Sequence, residues 1–369
     1  MKIIPIIKAT SVGCNLRCAY CFYRSTDQNK VTPMPQAVLQ KLIEETIKAN
    51  PKCAEFDWLG GEPTLAGVDF FDEVVSIQSH YRLPNQVVTN KLQTNGTMLN
   101  ERWVKFLIAN DFHLGISIDG PPELHDIYRR DNGDNPTALK VLNSIKLLQE
   151  LGHKRWGTIT VITDQNVDYP EVIYNFFRSV GITKMAFNPT KGTNESGKQI
   201  AIAPSPTAYG NFMCRIFDRW CNEDNPEIVI RQFHSIMQGF LGGKYRLCTF
   251  SGQCQQFFSV NYNGDAYPCE DDHLDERWCF GNVSQGWKPI IESEAYLRYI
   301  ERIGDIRNGC TSCKWYDACQ GGCTRYYSIF DAHGNHKNYY CEAEKQLFSH
   351  IKQRLELFQD SLVNKAGVN

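Results

Sequence analysis

The chain has 369 residues, a formal net charge of −2 and 42% hydrophobic residues. This is a globular composition, enough for one large domain or two ordinary ones, with no basic footprint for nucleic acid. No run of about 18 apolar residues offers a membrane span, and Met1–Lys8 lacks the length and cleavage site of a signal peptide.

Residues 3–8 read as a buried strand, followed by a cysteine-bearing loop. Val38, Leu39, Leu42, Ile43 and Ile47 give 33–50 a helical period. Residues 54–59 read as a second strand ending in Gly60-Gly61-Glu62-Pro63, with a helix over 67–80. A third strand, 86–92, ends in Gln93-Thr94-Asn95-Gly96-Thr97, and 100–109 is helical. A fourth, 112–118, ends in Asp119-Gly120-Pro121, before a helix over 136–151. Strand 158–163, helix 169–180 and strand 184–188 complete six alternations. Such alternation predicts parallel βα units with right-handed crossovers and functional groups at the C-terminal strand ends. The distinctive motifs follow the first four strands, as that rule requires.

Residues 190–206 are rich in Gly, Ser, Thr and Pro and read as a loop, either a connector or a substrate contact. Helices are expected over 207–222, through Phe212, Ile216 and Trp220, and over 228–240. A hairpin is expected between 257–260 and 266–268, turning at Asn261–Asp265. After Cys341 a helix carries Leu347, Phe348, Ile351, Leu355, Phe358 and Leu362 on one face, as core packing does. The expected divisions are 1–206, a helical bridge over 207–247, a cysteine-rich domain over 248–345 and a terminal helix over 346–369.

Fifteen cysteines without an export signal point to metal or redox chemistry in a reducing, cytoplasmic compartment. Cys53, Cys214, Cys221 and Cys279 fall outside any pattern and read as small core residues. Cys14, Cys18 and Cys21 follow C-x3-C-x2-C, enough to hold three irons of a cubane and leave the fourth iron open. A zinc site would want a fourth ligand nearby, and none is present. Cys248, Cys254 and Cys269, then Cys310, Cys313, Cys319 and Cys323, then Cys341, make two sets of four. On spacing alone these suit zinc ribbons and iron–sulfur clusters equally.

The stretch from Cys14 to Tyr23, with Asn15 and Leu16 between the ligands and Phe22 after them, resembles the radical S-adenosylmethionine (SAM) enzymes. The later cysteines resemble the SPASM domain, the auxiliary-cluster extension of radical SAM enzymes that act on peptides and proteins. The resemblance implies a partial (β/α)6 barrel, which the strand count supports, SAM as cofactor and three [4Fe–4S] clusters. It implies Cys248, Cys254, Cys269 and Cys323 as ligands of one auxiliary cluster, and Cys310, Cys313, Cys319 and Cys341 of the other. In that family one electron cleaves SAM at the open iron to give a 5′-deoxyadenosyl radical. Glu62 would receive the SAM ammonium, with Gly60 and Gly61 permitting close backbone approach, Tyr23 would meet the adenine, and Gln93, Asn95, Ser117 and Asp119 are candidates for ribose, carboxylate and substrate contacts. Glu270 follows Cys269 directly and is the candidate base, with Asp271 beside it.

The pattern is most similar to the anaerobic sulfatase-maturing enzymes, which oxidise Cys or Ser to formylglycine. It shares residues 60–67, residues 92–97 and the eight-cysteine spacing. Two positions depart: Glu270 stands where the family has Asp, and Leu59 where it typically has Gln. Both lie at the substrate end. On that ground the sequence predicts a maturase of ribosomally made peptides that takes a side-chain hydrogen, often from Cβ, and forms a thioether or C–C (cyclophane) crosslink. Sulfatase maturation is the alternative, and a non-enzymatic iron–sulfur or zinc protein a further one. The expected partners are a precursor peptide or protein and a one-electron donor such as flavodoxin or ferredoxin. With 13 residues ahead of Cys14, leader recognition is expected on the barrel rim, the 190–206 loop or the SPASM face.

Overall fold

The computed structural model describes residues 1–25, 30–193, 199–269, 276–327 and 338–366. Its strands are β1 (Ile4–Lys8), β2 (Cys53–Leu59), β3 (Val87–Thr94), β4 (His113–Ser117), β5 (Trp156–Ile162), β6 (Lys184–Pro189), β7 (Val229–Ile230), β8 (Phe257–Val260), β9 (Asp265–Tyr267) and β10 (Gly281–Asn282). Its helices are α1 (Gln36–Ala49), α2 (Val68–Tyr81), α3 (Glu101–Ala109), α4 (Pro122–Tyr128), α5 (Ala138–Glu150), α6 (Pro170–Ser179), α7 (Pro206–Glu223), α8 (Arg231–Phe240), α9 (Cys248–Ser251), α10 (Trp287–Ile291), α11 (Glu294–Asn308), α12 (Tyr316–Cys319) and α13 (Cys341–Ala366). No described helix is long and apolar enough to cross a membrane.

Two compact units form. The first contains Met1–Ile118, Pro122–Ile159 and Gln253–Gly304. Its strands lie in the order β10-β9-β8-β1-β2-β3-β4-β5. From β8 to β5 neighbouring strands are parallel, and β9 and β10 add antiparallel edges. β1 is buried at all five positions. The register explains this, since it pairs with β2 through Ile6–Lys8 and with β8 through Ile4–Ile7. An apolar run is what a strand covered on both faces requires. The hairpin of the cysteine-rich half is therefore built directly onto the first strand. α1 buries Leu39, Leu42, Ile43 and Ile47 along one stripe, each worth about 1.5–3 kcal/mol of transfer from water. Asn100 caps α3, its side chain accepting the Trp103 N–H at 3.0 Å.

The second unit contains Asp119–Pro121, Thr160–Gly252 and Asp305–Asn369. β6 and β7 pair in parallel, and α7 starts on a Ser205 cap with Pro206 at its first position. α13 runs alongside α7 in the same direction, with contacts at Gln346–Asn211, His350–Asp218 and Arg354–Asn222.

Three elements differ from expectation. The segment at 228–230 is the short strand β7, and the helix begins only at Arg231, because the β-branched pair Val229-Ile230 extends along Lys184 and Met185. α4 was not anticipated. The apolar face of α13 is buried through Leu347, Phe348 and Ile351, but Phe358 is 63% exposed. α7 ends at Glu223, so beyond Arg354 it no longer runs beside α13. Leu362 lies beyond the described side chains.

Candidate cluster and cofactor site

The loop from Ser11 to Cys21 is held by backbone contacts from segments far along the chain. Arg17 N–H donates to Arg130 O at 2.8 Å and Ala19 N–H to Tyr128 O at 2.9 Å. Leu16 bridges Asp131, and Asn132 donates to Cys14 O at 3.2 Å. Residues 128–132 thus strap the ligand loop in place. Gly61 fits it from the other side. A Cβ there would stand 2.0 Å from Gly13 O, and the adjacent Glu62 N–H donates to Gly13 O at 2.8 Å. Gly60, at φ +121°, sits against Ser11 O and the Lys8 stem. The close approach that these glycines permit is thus to the cluster loop's own backbone.

Glu62 is 1% exposed. Its Oε1 accepts Thr64 N–H at 3.0 Å, Thr64 Oγ1–H at 2.6 Å and Thr94 Oγ1–H at 2.7 Å, and its Oε2 accepts Asn95 N–H at 2.7 Å. The carboxylate therefore ties the Gly-Gly-Glu loop to the end of β3. Burial raises its proton affinity, and these donors oppose that. Asn95 donates to Asn15 Oδ1 at 2.9 Å and to Cys14 Sγ at 3.8 Å, and accepts from Thr97. Asn15 closes the ring by donating to Thr97 Oγ1 at 2.9 Å.

Burial, then the charge of Glu62, pushes the Cys14 thiol well above its ordinary range. Arg129, 6% exposed, directs Nη1 to Cys18 Sγ at 3.9 Å and covers the Tyr20 ring at 5.4 Å. A buried carboxylate acting on the Cys14 thiol, with Cys18 and Cys21 close by, calls for compensating positive charge, which iron and the cationic SAM would provide. The residues present fit both groups.

Tyr23 is buried at 1% exposure with Lys8 Nζ 4.0 Å from its ring centroid. Gln93 donates to Ser117 Oγ at 3.0 Å, joining the ends of β3 and β4. A Cβ on Gly115 would lie 2.0 Å from the Gln93 Oε1, so the bare glycine makes room for that amide. Asp119 belongs to the second unit. Its Oδ1 accepts Val161 N–H at 2.8 Å, and its carbonyl accepts from Asn166, within the second unit. Glu270, Asp271 and the neighbouring Asp272 and His273 lie outside the described residues, as does 194–198 of the Gly- and Ser-rich loop. Of the unpatterned cysteines, Cys214 is buried and Cys53, Cys221 and Cys279 half-buried. Burial pushes the Cys214 thiol up to about 12 and that of Cys221 to about 11.

Cys310, Cys313, Cys319 and Cys341 all lie in the second unit. Cys313 N–H donates to Cys310 O at 2.9 Å, and Cys341 N–H opens α13 against Asn338 O at 3.1 Å. The four share one electrostatic neighbourhood. Burial raises the Cys319 thiol, and Glu344, Cys341 and Cys310 add to it. Lys345 feels Cys341 and Cys313. Tyr327 OH lies 4.0 Å from Cys310 Sγ. Glu344 Oε2 lies 3.3 Å from Cys319 Sγ, and burial pushes that carboxyl up to about 7. Four thiols match the ligand number of a [4Fe–4S] cluster. Among the described residues, no three His, Cys, Asp or Glu groups gather as they do around a single metal ion. Of the other four patterned cysteines, Cys254 and Cys269 belong to the first unit, and Cys248 and Cys323 to the second.

Sequence reasoning missed Arg129, the 128–132 strap and Glu344. Nothing local marks them. Arg129 and Cys18 are 111 residues apart, and Glu344 reads as an ordinary charge on a helix.

The family model of the radical SAM superfamily matches residues 9–177, and that of an iron–sulfur cluster-binding domain, SPASM, matches 248–324. The chain belongs to the radical SAM superfamily and carries the partial (β/α)6 fold with the C-terminal SPASM extension. Within it, its family is that of the anaerobic sulfatase-maturating enzymes. It is 31% identical to a cysteine-type enzyme of Clostridium perfringens, over 95% of this chain and 96% of the relative. It is 30% identical to a serine-type enzyme of Bacteroides thetaiotaomicron, over 98% and 92%. The solved structure of native anSMEcpe with bound AdoMet and Cp18Cys peptide superposes with a TM-score of 0.87 at 29% identity, covering 97% of this chain and 99% of that one. Streptococcus suis SuiB bound to precursor peptide SuiA shares the fold, with a TM-score of 0.62 at 15% identity, covering 88% of this chain and 72% of that one. The protein is accordingly a radical SAM enzyme of the oxidoreductase type, which uses SAM and auxiliary iron–sulfur clusters.

Proposed function

We propose that the protein oxidises a cysteine or serine side chain of a polypeptide to formylglycine, the reaction implied by its resemblance to the sulfatase-maturating enzymes, whose cysteine-type and serine-type members are among its relatives. One observation carries this reading. The likeness to a structure with bound AdoMet and a Cp18Cys peptide spans 97% of this chain and 99% of that one, so no large element separates the two.

Cys14, Cys18 and Cys21 would hold the SAM-binding cluster, and that pair of cofactors would supply the radical chemistry that takes hydrogen from a side-chain carbon. The chain's own residues hold and orient. Glu62 fixes the Gly-Gly-Glu loop with Oε1, which three donors occupy, while Oε2 has one and keeps capacity for the SAM ammonium. Gln93 and Ser117 present a joined amide and hydroxyl at their strand ends for the polar groups of SAM. Asn95 acts through the loop, holding Asn15 and Cys14, and Tyr23 braces the loop against Lys8. Arg129 offsets the negative charge at Cys18. Glu270, next to Cys269, is the proposed base, and a flavodoxin or ferredoxin the proposed electron source.

One position favours a second reading. Leu59, the last residue of β2, stands where the sulfatase-maturing pattern has Gln. An apolar chain there suits a different substrate surface, as a peptide-crosslinking maturase would need. Incubating reconstituted protein with SAM, reductant and a Cys-containing sulfatase-motif peptide separates the two. Formylglycine formation gives an aldehyde that a hydrazide traps. Loss of two hydrogens without aldehyde, with a new inter-residue link on fragmentation, favours crosslinking and defeats the proposal. No 5′-deoxyadenosine at all defeats both. Glu270→Gln slows product formation while SAM cleavage continues.

A further inference from the structure

The patterned cysteines of the second unit reach an unusual stretch of surface. Cys313 is half-buried and lines a surface cleft of about 490 Å³ with Lys314, Trp315, Glu342 and Lys345. The Trp315 ring packs on Phe240 at 6.1 Å and on Phe348 at 5.9 Å between centroids. Two ammonium groups stand by that ring, Lys314 Nζ at 5.1 Å and Lys352 Nζ at 6.0 Å from its centroid. The turn after α8 adjoins Trp315 through Phe240 and carries Leu241, 66% exposed, and the exposed Lys244 and Arg246. Two acids are interspersed. Glu342 pairs with Lys345 at 3.3 Å, and Asp317 is exposed on α12. Among the described residues, Lys244, Arg246, Lys314 and Lys352 form no ion pair.

An iron ligand that reaches the surface marks a place where an electron can enter, because transfer between two proteins needs their redox centres close. The partner must also find that place and leave it again. Redox encounters use small interfaces. Cations set around an apolar centre draw an acidic protein in at a raised rate, and the small contact lets it go. We propose that this face, centred on Trp315 and ringed by Lys314, Lys345 and Lys352, is the docking site of an acidic one-electron carrier protein. The reduced carrier gives one electron to the cluster held by Cys310, Cys313, Cys319 and Cys341, so that the carrier is oxidised and the cluster reduced. This rests on the cluster reading of those four cysteines and says where the electron source proposed above binds. It is independent of the peptide substrate.

Titration calorimetry of the reconstituted full-length protein with an acidic flavodoxin tests it. The flavodoxin binds at low salt, and raising the ionic strength from about 0.01 M to about 0.15 M weakens binding about tenfold, as screening of exposed charge requires. The triple variant Lys314→Glu, Lys345→Glu, Lys352→Glu weakens low-salt binding about tenfold and loses most of the salt dependence. Lys105→Glu with Lys146→Glu, on α3 and α5, leaves binding unchanged. Should the triple variant not fold, Lys314→Gln with Lys352→Gln decides, with binding about threefold weaker. Stopped-flow mixing with reduced flavodoxin adds the redox readout. In protein with Cys14, Cys18 and Cys21 replaced by Ala, whose remaining iron is auxiliary, the triple lysine change slows flavodoxin reoxidation about tenfold. No binding at low salt, an affinity unmoved by the lysine variants, an equal loss on changing Lys105 and Lys146, or polyglutamate bound as tightly as the flavodoxin overturns the proposal. So does auxiliary iron that the bound flavodoxin does not reduce. Wild-type protein with no cluster at the four cysteines sinks the ligand reading and the proposal together, whereas failure to make formylglycine leaves the binding to be read as before.

Discussion

The cysteines of the N-terminal loop and those of the second group, both proposed cluster ligands, stand in different settings. The groups that touch the Cys14 and Cys18 sulfurs are donors, Leu16 N–H at 3.3 Å and the Asn95 amide at 3.8 Å from one and the Arg129 guanidinium at 3.9 Å from the other, and the Glu62 carboxylate acts on Cys14 only through its charge. At Cys319 the neighbour is a buried carboxyl, and at Cys310 a tyrosine hydroxyl. A permanent cation faces the first group, and a buried carboxyl the second. Their backbones differ as well. The first loop is strapped by segments from elsewhere in the fold, whereas Cys319 is placed by its own run of left-handed residues. A loop that must admit a cofactor gains from remote bracing, while a closed four-ligand site is shaped locally.

The largest expected effect tests whether the two settings are independent. Replacing Cys14, Cys18 and Cys21 together with Ala abolishes 5′-deoxyadenosine formation, while the iron of the auxiliary groups remains. Loss of all iron would mean that the groups assemble as one. The next test pairs two glycines. Gly61→Ala places a Cβ 2.0 Å from Gly13 O, which the backbone relieves only by moving, at about 1–3 kcal/mol. Gly322→Ala meets Asn338 and Glu344 at φ +75°, at a similar cost of about 1–3 kcal/mol. Denaturant unfolding measures both costs. Mössbauer spectra show which iron each loses: the SAM-binding cluster in the first variant, the auxiliary cluster in the second. Crossed losses break the comparison.

Arg129→Gln comes third. Removing the cation beside Cys18 lowers the potential of that cluster, expected at about a tenfold change in the reduced-to-oxidised ratio. SAM cleavage with a weak reductant slows accordingly, and cleavage with a strong one is largely restored. If cleavage falls equally with both, Arg129 acts on SAM binding and not on the potential.

The cysteine spacing was legible because metal binding imposes it locally. The parallel βα order was legible because each element carries its own apolar period. What stayed hidden was pairing at a distance. Glu62 and Asn95 stood out as polar strand-end residues, but nothing local shows that they bond to each other and to the ligand loop. α4 has seven residues and buries only His125, so it leaves no stripe to read. The face of α13 was read correctly through Ile351 and failed at Phe358, where the helix outlasts α7. Glu344 sits beside that stripe and looks like any surface acid until the turn at Gly322 closes over it.

Leu59→Gln is the smallest change and the one aimed at chemistry. Leu59 ends β2 opposite Lys8, and is half-buried where the strand's alternate residues are fully buried. Exchanging an apolar side chain for an amide of similar length at a half-exposed position costs little stability, about 0.5 kcal/mol. It also restores the residue typical of the sulfatase-maturing pattern. Glu62 and its four donors lie one turn further along and are untouched. SAM cleavage without peptide therefore stays at the parent rate. What shifts is coupling, the aldehyde formed per 5′-deoxyadenosine released on a sulfatase-motif peptide, expected to rise about threefold, which corresponds to ~0.65 kcal/mol of better substrate placement. An unchanged ratio places the specificity elsewhere, with Glu270 the next position to exchange. A fall in SAM cleavage itself would show that the end of β2 serves the cofactor as well as the substrate.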